Sequence, residues 1–133
     1  MKPIILLLFA SLILSCEKEN SQTVEIKEGT YSGEFWRECE NCSDEIAKIT
    51  LVLSEGNFSG SSDKMYYPAF GYGNYTVQGN TVIFNNSSFW TANFDWSFIL
   101  SESFHIEETK EYYYLSQKLN SDAVNHYKLK KNE

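Results

Sequence analysis

The chain has 133 residues, of which 16% are aromatic and 22% charged, with a formal net charge of −7. That length suits a single domain with one modest core. Acidity argues against a nucleic-acid partner, because phosphate binding requires clustered Lys and Arg, and the only basic cluster, Lys128, Lys130 and Lys131, reads as a solvated tail.

Lys2 and the apolar run 4–14 read as a targeting segment, too short to span a bilayer as a mature helix. Leu12-Ile13-Leu14-Ser15-Cys16 then places a small residue directly before a cysteine. This resembles a bacterial lipobox. The resemblance implies cleavage before Cys16 and lipids on its thiol and new amine. Two acyl signals on one residue give stable anchoring, whereas one chain alone is marginal. Glu17-Lys18-Glu19 is similar to the charged tags with which some Gram-negative bacteria send lipoproteins to the outer surface. The division is therefore 1–15 signal peptide, 16–28 lipidated cysteine and polar tether, and 29–133 folded domain. Its expected location is the cell envelope, lipid-anchored in the outer membrane and facing the periplasm or the outside, an oxidising space.

The tether holds only Val24 and Ile26 as apolar residues close to the domain, and it can end in a short edge strand. Residues 29–37 form the first strong strand signal, with Tyr31, Gly33 and Phe35 on one face by the period of two. A polar loop with Cys39 and Cys42 leads to a second strand, 46–54, with Ala47, Ile49, Leu51 and Leu53 aligned. Glu55-Gly56-Asn57 turns the chain into a short third strand, 58–62. After a longer loop, strands 74–78 and 81–85 flank Gly79-Asn80, a hairpin signal because both residues tolerate positive φ. The run 96–106 reads as the longest strand, with Trp96, Phe98, Leu100, Phe104 and Ile106 on one face and Glu102 interrupting it. Segments 111–118 and 124–130 complete the set, the last with Tyr127 and Leu129 inward and His126 and Lys128 outward.

Eight short strands with turn signals between them predict an all-β domain, either a sandwich or an up-and-down barrel. A barrel of eight antiparallel strands has no free edge, and nine Phe with nine Tyr could fill its interior. Gly29-Thr30-Tyr31 stands where lipocalins carry Gly-x-Trp. That opening, together with Gly73-Asn74-Tyr75-Thr76-Val77, Gly79-Asn80-Thr81-Val82, the Trp90–Trp96 loop and a closing Tyr127-x-Leu129-x-Lys131, resembles the small lipocalin-like lipoproteins of Gram-negative bacteria. The resemblance spans about 29–131 and rests on turn and aromatic patterns, not on a catalytic signature. Tyr31 departs from the usual Trp, and the helix that larger lipocalins carry beside the barrel is not evident. It implies a single eight-stranded antiparallel up-and-down barrel of calycin type, whose relatives often bind small apolar molecules.

Cys39-Glu40-Asn41-Cys42 is a C-x-x-C, but it sits in an acidic loop between strands, where negative neighbours oppose thiolate formation. A local disulfide clip is the favoured reading, with free thiols, a redox role or a partial metal site as alternatives. Arg37, the only arginine, ends the first strand on the inward parity, a position from which it can close a barrel over aromatic rings or meet a carboxylate. Glu102 on an apolar face points to a bulge, a partner such as Arg37, or a polar group in a pocket. Tyr66, Tyr67, Phe70, Trp90, Phe94 and Trp96 fall in two loops that would form an aromatic rim if they met. No catalytic residues, metal ligands or cofactor motifs emerge.

Two functions are expected from these features. The first is a non-catalytic, monomeric envelope lipoprotein that takes a small apolar or aromatic ligand. Its candidate contacts are Tyr31, Phe35, Arg37, Phe98, Leu100, Glu102 and Phe104 inside, with Trp90 and Trp96 at the rim. The alternative is an interaction lipoprotein with a filled barrel that touches an envelope partner through its loops.

Overall fold

The computed structural model describes residues 23–133. The signal peptide, Cys16 and most of the tether lie outside the described residues. Eight strands, β1 (Gly29–Glu38), β2 (Ala47–Ser54), β3 (Asn57–Ser62), β4 (Tyr72–Gln78), β5 (Thr81–Asn86), β6 (Glu102–Glu108), β7 (Tyr113–Lys118) and β8 (Val124–Lys131), follow one another around a closed barrel. Every pairing is antiparallel between chain neighbours, and β8 closes on β1 with Phe35 opposite Tyr127. This is the expected up-and-down architecture, consistent with a calycin-like fold.

Alternation sets which face points in. In β2, Ala47, Ile49, Leu51 and Leu53 are buried while Lys48 and Ser54 are exposed. A one-residue slip would exchange these sets, so the hydrophobic pattern fixes the register. Gly33 is inward on β1, and a side chain there would strike the carbonyl oxygen of Lys128 on β8. The missing Cβ lets β1 and β8 approach closely here.

The interior is occupied by rings. Phe35 lies 4.8 Å from Tyr127, Tyr127 5.5 Å from Phe104, Phe104 5.7 Å from Phe84 and Phe84 5.1 Å from Phe58, mostly edge-to-face. Such geometry adds to the area term because ring edges and faces carry opposite partial charge. Burial pushes the Tyr127 hydroxyl far above the usual phenol range. The Tyr31 hydroxyl is pushed up to about 12, first by burial and then by the neighbouring Tyr113 and Tyr75.

The strand expected over 96–106 is the principal correction. Trp96–Phe98 is instead a 3₁₀ turn, whose N-terminus is capped by the Asp95 side chain accepting from the Ser97 N–H. Ile99 makes an isolated parallel bridge to Ala69, and β6 starts only at Glu102, which has φ +69°. That left-handed residue resets the parity, so Glu102 faces solvent while Leu100 and Phe104 both face the core. The edge strand considered for Val24 and Ile26 is also absent. Both residues pack against the core in an extended segment instead. Elsewhere the strand limits differ from expectation by one or two residues.

Alternating strand direction gives the barrel two unlike ends. At the hairpin end the connections are short turns at 55–56, 79–80 and 109–112. Glu55 and Gly56 both take positive φ there, as a two-residue hairpin turn requires. The segment entering from the tether also lies here. Val24 N–H donates to Gly79 O (2.9 Å), Tyr113 OH to Glu25 O (2.9 Å), and Tyr31 OH to Lys27 O. At the loop end lie the long connections 39–46, 63–71 and 87–101.

Candidate functional site: the latched loop end

β3 and β4 pair at only three positions, so the wall opens toward the loop end. Phe70 fills the gap and would collide with any side chain at Gly60. The two long loops then hold each other across the mouth. Ala69 N–H donates to Phe98 O (3.0 Å) and Leu100 N–H to Ala69 O (2.8 Å).

Arg37 fastens this crossing from the end of β1. Its Nε donates to Asn125 Oδ1 (2.8 Å), its Nη2 to Ser97 O (3.0 Å) and Ser97 Oγ (2.9 Å), and its Nη1 to Asp95 Oδ2 (3.2 Å). Its guanidinium carbon lies 3.6 Å from the centre of the Phe98 ring, within cation–π range. Asn125 is the one buried polar side chain among the described residues. Its amide donates to Ser97 O (2.9 Å) and Gln117 Oε1 (3.4 Å), and Gln117 in turn donates to Ser101 O (2.9 Å). The network is complete: among the described residues no buried side-chain nitrogen or oxygen lacks a partner. A buried polar group is tolerated when satisfied in this way.

The Asp95 carboxyl is held below the usual carboxylate range. The Ser97 hydroxyl contributes most, the Ser97 N–H and the Arg37 guanidinium add to it, and partial burial opposes them. Asp95 is more than half exposed while the Arg37 side chain is only 9% exposed, so the cation lies inside and its counter-charge at the rim.

Around this latch the two loops do form an aromatic rim. Tyr66 stacks on Phe94 at 4.2 Å, and Trp90 meets Phe94 edge-on at 5.7 Å. Tyr67 packs between Phe35 and Phe98 and belongs to the plug beneath the rim, as does Phe70. Outside the plug, Phe89 and Met65 are 91% and 86% exposed, and Trp96 and Tyr66 are exposed as well. The hollow among Met65, Tyr66, Pro68, Phe70 and Trp90 holds about 210 Å³. That is below the usual range of small-molecule pockets, roughly 300–1,000 Å³.

The structure thus separates the candidate contacts. Phe35, Leu100 and Phe104 are buried in the core, and Tyr31 is buried toward the hairpin end. Arg37 and Phe98 are brought together at the mouth, with Trp90 in the rim and Trp96 outward. Glu102 does not reach Arg37, whose carboxylate partner is Asp95. Cys39 and Cys42 are joined in a disulfide that closes the β1–β2 loop, with Cα atoms 5.1 Å apart. Sequence reading missed Asp95, Ser97, Gln117 and Asn125. For Asn125 a signal existed, because it shares the inward parity of Tyr127 and Leu129. Among the described residues no group of three or more His, Cys, Asp or Glu could hold a metal. No protein-family model, curated protein or solved structure matches the chain.

Proposed function

We propose that this chain is a non-catalytic, lipocalin-like envelope lipoprotein. Lipids on Cys16 hold it in the outer membrane, and its filled barrel presents the aromatic loop end to a partner in the envelope. The observation that carries this reading is the opposition of the two ends. The tether enters beside Gly79, at the hairpin end, and the exposed Met65, Phe89 and Trp96 lie at the other. Exposed aromatic clusters on a rigid scaffold are what protein partners bury. A barrel packed with rings supports this reading over the ligand carrier, because Phe35, Tyr127, Phe104, Phe84 and Phe58 pack ring against ring where an apolar ligand would sit.

Photo-crosslinking in intact cells tests it. A benzophenone side chain placed at 65, 89 or 96 should give a discrete adduct, while the same group at Asn57 or Gln78, at the hairpin end, should give none. Adducts of equal yield from both ends, or from neither, contradict the proposal. The anchor is tested separately by metabolic labelling with palmitate, which Cys16→Ala should abolish.

A further inference from the structure

We propose that the outer wall formed by β2, β1, β8 and β7 is a binding trough for an acidic oligosaccharide. This is a second surface, independent of the loop end.

The strand registers place outward side chains in rows across the wall. Lys48, Glu34, Lys128 and Tyr114 form one row, and Thr50, Ser32 and Lys130 form the next, with Tyr112 just before β7. Trp36 and His126 lie in the row on the other side, beside Ile46. Short Ser32 and Thr50 among long Lys48, Lys130 and Tyr112 leave a hollow of about 500 Å³. A second hollow of about 450 Å³ adjoins it, sharing Glu34 and Lys128. Both fall within the usual size of small-molecule sites, roughly 300–1,000 Å³.

The first hollow is lined by three lysines against one carboxylate, on a chain of net charge −7. Among the described residues none of the three makes an ion pair. The Lys128 ammonium rests 4.3 Å over the Tyr112 ring instead. The second hollow is lined by Trp36, Tyr114, Ile46 and the Cys39–Cys42 disulfide, and by the carboxylates Glu34, Glu38 and Asp44 against Arg37 and Lys128. Trp36 is braced from one side by the parallel His126 ring at 5.0 Å.

One ligand chemistry satisfies both halves. A sugar carboxylate meets the lysines, and an adjoining ring lays its C–H face on Trp36 and Tyr114 with hydroxyls toward Glu38 and Asp44. Inorganic phosphate would use only the lysines. An anionic bilayer would be repelled by the acidic remainder of the chain.

The barrel closes within 29–131, so the chain 17–133 serves for the test. It is titrated with cellobiouronate, whose single glucuronate adjoins a neutral glucose, and with cellobiose, inorganic phosphate and vesicles containing phosphatidylglycerol. Cellobiouronate should bind, and cellobiose should bind at least about tenfold more weakly. The double variant Lys48→Gln, Lys130→Gln should weaken cellobiouronate about tenfold, as should Trp36→Ala. Ser32→Trp fills the hollow while keeping every charge, and it should abolish binding, with an unchanged far-ultraviolet spectrum confirming the fold. The proposal is overturned by phosphate binding as tightly as cellobiouronate, by binding to vesicles alone, by unchanged affinity in the variants, or by no binding at all.

Discussion

The two ends of the barrel are closed by different physics. The hairpin end uses tight turns and an extended segment whose Val24 and Ile26 lie on apolar core. The loop end uses aromatic plugs held by a charged side chain, with Arg37 joining Asn125, Ser97, Asp95 and Phe98. Closure by local turns needs little beyond the turn residues themselves. Closure by long loops costs more chain entropy, and the loops are ordered only where specific groups meet. The loop end is therefore the part of the molecule that carries exposed Phe89 and Trp96, and the Trp96 indole N–H is tied down there by donating to Ala92 O (3.3 Å).

Removing the plug should have the largest effect. Phe35 touches Tyr67, Phe98 and Tyr127, so Phe35→Ala should cost about 3–5 kcal/mol in chemical denaturation. A loss under about 1 kcal/mol would mean that the plug is loosely packed. Arg37→Leu keeps apolar contact but leaves the buried Asn125 Oδ1 without its donor, and should cost about 2–3 kcal/mol. Hydrogen exchange sharpens the contrast, because amides at 97–100 should lose protection in Arg37→Leu while those at 75–83 keep theirs. Equal loss at both ends would show that the latch supports the whole barrel instead. Reducing the Cys39–Cys42 disulfide reopens only a short loop, so it should cost at most about 2 kcal/mol.

Proton titration separates the ends with smaller effects. Tyr31 ionises at about 12 in the folded barrel against 10.0 in a free chain, and Tyr127 is shifted in the same direction. A raised folded value means that stability present below pH 10 is lost as pH rises toward 12. Absorbance at the phenolate band should accordingly show the core tyrosines ionising together with unfolding, after the exposed ones. Asp95 has the opposite sign. Its depressed folded value contributes stability above its ordinary 3.8, and that contribution disappears as pH falls through the lower folded value. Loop-end exchange should rise first in acid, and Asp95→Asn should remove that acid step.

Legibility in the sequence follows the same division. Ala47, Ile49, Leu51 and Leu53 announce a strand and its inward face by strict alternation, and Gly79-Asn80 announces its turn. Both signals are local. The latch is not local, since Arg37 and Asn125 are far apart in sequence and meet only because β8 closes on β1. Inward parity marked Arg37 as unusual and would have marked Asn125, but it could not pair them. The run from Trp96 onward misled because apolar residues at every second position imitate a strand. A capped turn at Asp95 and a left-handed Glu102 carry the same residues across the mouth instead. The lysines near the chain end looked like a solvated tail because their neighbours on β1, β2 and β7 are remote in sequence.

The barrel is filled by its own rings, which is the basis for proposing that its outside carries the function. Nuclear Overhauser measurements on the chain purified gently from its own host test it most directly. Ring-to-ring contacts should link Phe35 to Tyr127, Tyr127 to Phe104 and Phe104 to Phe84, with no foreign resonances against any of them. Missing contacts among these rings, together with cross-peaks from them to a molecule that is not part of the chain, would contradict the account and make the barrel a ligand carrier.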